Sequence, residues 1–134
     1  MFSYETKIRT RYGETDQMGY VYYGNYAEYF EVARVEMLRS LGMSYSALEA
    51  SGVMMPVLEL NCKYIKPVYY DELITIKTTI KELPTARIFF EYEIFNQKDE
   101  LVHIGKTTLV FVDMNTKRPT HPPEKFMEKL VDFF

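Results

Sequence analysis

The sequence predicts an α+β domain in which one long amphipathic helix packs on an antiparallel sheet. Three observations carry that reading. Runs of strict apolar and polar alternation recur along the chain, the mark of half-buried strands. The stretch from Tyr26 to Leu41 instead repeats its apolar residues at steps of four and three. The last strand-like runs are joined by a few turn residues each, which favours hairpins over crossovers.

The first alternating run covers residues 2–12. Phe2, Tyr4, Thr6, Ile8, Thr10 and Tyr12 share one face, and Ser3, Glu5, Lys7, Arg9 and Arg11 the other. Gly13 to Gly19 breaks the pattern and reads as a loop. The long helix follows, with Tyr26, Phe30, Ala33, Met37 and Leu41 as its apolar stripe. Asn25 with Glu28 reads as a capping box, and Gly42 as the residue that stops the helix. Glu31 and Arg34, three apart, read as an ion pair. A short second helix spans about residues 44–51. Four strands come next, the first with Leu58, Leu60, Cys62 and Tyr64 on its apolar face. Ile74 to Ile80 and Ile88 to Ile94 alternate likewise, and Leu101 to Asp113 is the longest such pattern. Pro122-Pro123-Glu124 opens a last helix, with Phe126, Met127, Leu130 and Val131 on one side. The place of the first strand in the sheet is open.

The 134 residues are 47% hydrophobic and 26% charged, which suits one globular domain over 1–134 and excludes general disorder. Sixteen basic against nineteen acidic residues leave a net charge of -3, so nucleic acid is a poor partner. No apolar run reaches membrane-spanning length, and no signal peptide is read at the N-terminus. A single cysteine, Cys62, makes no intrachain disulfide, and His103 and His121 lack metal spacing. These features point to a reduced, cytoplasmic protein without membrane insertion.

Chemistry concentrates in Tyr12 to Tyr26. A carboxylate loop there precedes a helix N-terminus. Free amides at such an end hold a developing oxyanion, and a carboxylate beside them attacks a carbonyl or deprotonates water. That suits acyl transfer from a thioester, whose thiolate leaves with little acid assistance. The competing reading makes Asp16 a turn-forming residue and Asn25 only a cap. No serine-nucleophile elbow or phosphate-binding glycine loop is present. A Cys62/His103 dyad is less favoured than a buried, inert thiol.

The run Tyr12-Gly-Glu-Thr-Asp16-Gln-Met-Gly19-Tyr-Val21-Tyr-Tyr23-Gly-Asn25-Tyr26, continued by Tyr29-Phe30-Glu31-Val-Ala33-Arg34, resembles the acyl-CoA thioesterases of the 4-hydroxybenzoyl-CoA thioesterase family. The run from Met55 to Leu73 resembles that family's second block. The resemblance implies the hotdog fold, an antiparallel five- or six-stranded sheet wrapped around a long central helix. It places Asp16 on the catalytic aspartate, as nucleophile or general base. It places Tyr23 and Gly24 at the helix entry, where backbone amides polarise the thioester carbonyl. Glu14 lies two residues off the matched position, so Glu14→Gln is expected to keep most activity. Lys81 and Arg87 flank the turn that offers phosphate contacts to coenzyme A, and Asn25, Glu59 and Asn61 complete the candidate substrate contacts. Met18, Met54 and Met55 are candidates to line an acyl tunnel. The implied substrate is an acyl-CoA or acyl-carrier-protein thioester, with no metal or redox cofactor, and the implied assembly is a homodimer or homotetramer sharing sites at its interface. A protein that binds acyl groups without turnover is the alternative.

Overall fold

The computed structural model describes residues 1–134. Strand β1 (Phe2–Arg9) leads through a loop to helix α1 (Tyr26–Ser40) and the short α2 (Tyr45–Ala50). Strands β2 (Val53–Met54), β3 (Val57–Tyr64), β4 (Leu73–Ile80), β5 (Arg87–Phe95), β6 (Leu101–Val110) and β7 (Val112–Asp113) follow, and α3 (Glu124–Leu130) comes last. Five strands form one antiparallel sheet in the order β1-β4-β5-β6-β3. The position the sequence left open is thus an edge: β1 pairs with β4, Phe2 opposite Ile80 and Arg9 opposite Leu73.

The alternation was a reliable guide for the inner strands. Ile74, Ile76 and Ile80 on β4 and Ile88, Phe90, Tyr92 and Ile94 on β5 are fully buried, facing α1. The helix stripe Tyr26, Phe30, Ala33, Met37 and Leu41 meets them as expected. Gly42 has φ +77°, a left-handed conformation that costs glycine little, and the helix ends just before it. Phe30 stacks on Tyr92 at 4.1 Å between ring centroids. Under that ring lies Gly105 of β6, where a Cβ would sit 2.1 Å from Phe30 Cζ. Glycine is therefore what lets the helix approach β6.

Four expectations are corrected. The first strand stops at Arg9, because Tyr12 enters a 3₁₀ turn (Tyr12–Glu14) and its side chain is exposed. The long 101–113 pattern breaks after Val110, and the short β7 leaves the main sheet to pair with β2. Val131 is exposed rather than packed with Phe126 and Leu130. On β3, Leu60 and Tyr64 lie opposite the buried Thr107 and His103, and Leu58 falls in a break of the register, but all three remain about half exposed. Their strand is the outer edge of the sheet, beside β6, with no strand beyond it.

Candidate active site

The loop between β1 and α1 is tied down by Glu14. Its carboxylate accepts from the Arg11 backbone N–H at 2.7 Å, from the Arg11 guanidinium at 3.0 and 3.2 Å, and from the Tyr29 hydroxyl of α1 at 2.9 Å. Burial pushes this carboxyl up, but the bonds from Arg11 and Tyr29 outweigh it and hold the pKa below the usual value. The Glu14 carbonyl accepts from Tyr22 N–H at 2.8 Å and from the Asn25 side-chain amide at 2.7 Å. The loop then closes through Thr15, opposite Val21, and through Asp16 N–H to the Tyr20 carbonyl at 3.0 Å.

Asp16 is half-buried. Its Oδ1 accepts from Met18 N–H at 2.9 Å, the Asx-turn bond of a turn-forming aspartate. Its Oδ2 makes no bond within the chain. The turn geometry therefore aims the carboxylate as well as closing the loop.

A 3₁₀ turn, Tyr23–Asn25, leads into α1. The Tyr23 and Gly24 amides donate to nothing in the chain, as expected where the first N–H groups of a helix lack carbonyl partners. Tyr64 on β3 donates its hydroxyl to the Tyr23 carbonyl at 2.9 Å and so ties this entry to the sheet edge.

A cavity of about 310 Å³ opens between these parts. Asp16, Met18, Tyr20, Val21, Tyr23, Tyr26, Tyr64, Ile65, Lys66 and Pro67 line it. The wall is mostly apolar and aromatic, with Asp16 as its one carboxylate, the composition of a small-molecule site. Burial pushes the Tyr26 and Tyr64 hydroxyls up to about 12, so both stay neutral donors at neutral pH. Behind this wall the fully buried His103 stacks on Tyr26 at 4.1 Å and meets Tyr64 edge-on at 4.8 Å. Neither His103 nitrogen has a hydrogen-bond partner, and burial lowers its pKa to about 4.

The structure thus brings Asp16, Tyr23 and Met18 together around one cavity. Glu59, Asn61 and Lys81 line a different groove of about 440 Å³, with Phe89, Glu91 and Lys106. Lys81 pairs there with Glu91 at 2.9 Å. Arg87 is exposed and borders neither cavity, and Met54 and Met55 stay away from the Asp16 cavity.

Other sequence readings change at this level. Asn25 does not cap α1: its backbone is already helical, and its side chain spans the loop to Glu14. Arg34 makes no pair with Glu31. It is buried and donates to the Tyr92 hydroxyl at 3.1 Å and the Tyr45 hydroxyl at 3.4 Å. Glu14 is no loose neighbour of Asp16: it is buried, and its carboxylate is engaged by Arg11 and Tyr29. Cys62 is half-buried on the open edge strand, and burial raises its thiol pKa. Tyr20 and Tyr64 were not singled out as site residues. The run of aromatics in the loop was the one signal that pointed at Tyr20.

Fold and site together define a thioesterase-like protein. The model of the thioesterase-like superfamily matches residues 10–130, and the chain belongs to that family. It is 36% identical over 113 residues to YneP of Bacillus subtilis, provisionally named an acyl-CoA thioesterase, covering 84% of this chain and 82% of that one. It is 30% identical over 120 residues to the acyl-CoA thioester hydrolase YbgC of Escherichia coli, covering 90% of each. Among solved structures, the DHNA-CoA thioesterase of Staphylococcus aureus is 38% identical, with a TM-score of 0.87 over 99% of this chain and 87% of that one. The sheet and helix described above are the hotdog fold of these enzymes.

Proposed function

We propose that the chain, as a single domain, hydrolyses acyl-CoA thioesters to a free acid and coenzyme A in the cytoplasm. One observation carries the mechanism: a carboxylate with a free oxygen and Tyr23 border the same apolar cavity, and the amides of Tyr23 and the adjoining Gly24 at the helix entry are unbonded. In this reading the thioester carbonyl points its oxygen at the Tyr23 and Gly24 amides. Asp16 removes a proton from the attacking water or attacks the carbonyl itself. The oxyanion collapses, the C–S bond breaks, and the thiolate leaves. If Asp16 attacks, water hydrolyses the resulting anhydride in a second step. No helix is long and apolar enough to cross a membrane.

The assembly we propose is a homodimer or a pair of dimers joined at β3. The exposed Val57, Leu58, Leu60, Tyr64 and Ile65 on and beside an unpaired edge support it, since isolated chains rarely leave such an edge bare. Across that junction Glu59, Asn61, Lys81 and Arg87 would serve the polar, phosphate-bearing end of coenzyme A. Asn25 acts by holding the entry loop.

Asp16→Asn tests the chemistry. It keeps the shape and the Met18 bond but removes the charge, so kcat falls by about two to four orders of magnitude. Thiol release from a panel of acyl-CoAs, with matched acyl-carrier-protein thioesters, measures it. Full activity in Asp16→Asn removes the mechanism. Tight binding with no turnover of any thioester by the parent protein favours a non-catalytic acyl binder.

A further inference from the structure

We infer that Glu14 is a positioning residue for hydrolysis, setting the distance between the Asp16 carboxylate and the helix-entry amides. This rests on the proposed roles of Asp16, Tyr23 and Gly24. The two halves of that site belong to different segments. Asp16 sits in the loop after β1, while the amides begin α1. Glu14 is bonded to both. Its carbonyl holds Tyr22 N–H and the Asn25 side chain, the residues on either side of Tyr23 and Gly24. Its carboxylate is held by Arg11 on the β1 side and by Tyr29 one turn into α1. Only Thr15 separates Glu14 from Asp16, so a shift of this anchor moves the carboxylate against the amides. Misplacement of about 1 Å is enough to cost on the order of a hundredfold in rate without loss of binding.

The bonding pattern also says why glutamate is needed. Both carboxylate oxygens face donors: Oε1 receives Arg11 N–H and Tyr29, and Oε2 receives the guanidinium. Glutamine brings one acceptor and one amino group, so in either orientation an N–H₂ is set against existing donors. The side chain is only 9% exposed, which leaves water little room to repair the mismatch.

The test is steady-state kinetics on Glu14→Gln, Tyr29→Phe, the double variant and Asp16→Asn, with circular dichroism on each. Glu14→Gln is expected to lower kcat about ten- to a hundredfold while KM stays within about threefold. Tyr29→Phe, which deletes one hydroxyl from the anchor, lowers kcat about three- to tenfold. The double variant is no worse than Glu14→Gln alone, because both act through one bond network. Folded Glu14→Gln with parental kcat overturns the inference, as does a loss confined to KM or a strictly multiplicative double variant. Should Glu14→Gln fail to fold, parental kcat in Tyr29→Phe overturns it equally. Asp16→Asn separates the two levels. An inactive Asp16→Asn beside a fully active Glu14→Gln defeats this inference alone. A fully active Asp16→Asn defeats the reading of the site beneath it.

Discussion

His103→Phe isolates the cost of an orphaned histidine in the core. The native imidazole is fully buried among the rings of Tyr26, Phe30 and Tyr64, with both nitrogens unbonded. Its pKa falls from an ordinary 6.5 to about 4, because burial disfavours the cation. The unfolded chain therefore takes up a proton as the pH drops from 6.5 towards 4, while the folded chain refuses it. Stability is complete above the unfolded value and is lost as pH falls through this window, by about 3 kcal/mol in all. At pH 4.5 most of that loss, about 2–3 kcal/mol, is already present by the same linkage. Phenylalanine keeps the flat ring and its stack but carries no proton. It should add about 1–2 kcal/mol at pH 7, by removing polar atoms without partners, and about 2–3 kcal/mol more at pH 4.5. Urea unfolding of both proteins at the two pH values, at one fixed protein concentration, measures this. A stability difference that does not grow between pH 7 and pH 4.5 would refute the reasoning, whatever its size.

Gly105→Ala should destabilise by about 1–3 kcal/mol, since its Cβ lands on the fully buried Phe30 ring; thermal melts give the number. Cys62→Ala should leave kcat within about threefold, because the thiol lies outside the Asp16 cavity and has no acid or base partner there; thioesterase assays check this, and inactivity with an intact fold would bring back a thiol nucleophile. Leu60→Glu should shift the protein towards monomer, placing a charge on the proposed β3 junction; light scattering at micromolar concentration reports it, and a parent protein already monomeric there refutes the junction.

What the sequence disclosed follows from how local each determinant is. Alternation on β4 and β5 was legible because those strands have neighbours on both sides and a helix above, so pattern and burial coincide. The same alternation on β3 misled, because burial there depends on whether anything lies beyond the edge. Asn25 and Arg34 were assigned to partners three residues away, whereas their bonds run to Glu14, Tyr45 and Tyr92, eleven to fifty-eight residues distant. Asp16 and Tyr23, which line one cavity, are legible as candidates because they share a long motif in one loop. The place of Tyr64 in the wall of that cavity is not legible in the sequence, because it reaches the helix entry from another strand and nothing near it in sequence announces the contact.

The contact between Phe30 and Gly105 has a consequence for descent and redesign. Neither residue is free to change size alone: a side chain at 105 needs a smaller ring or none at 30, and shrinking residue 30 first opens a hole into which a side chain at 105 would point. The two positions, one on the central helix and one on a strand seventy-five residues later, are linked as a single inherited character. Chains that diverge from this one are expected to keep the pair or to exchange both members together, and a library built around the cavity must vary them jointly to sample anything but losses.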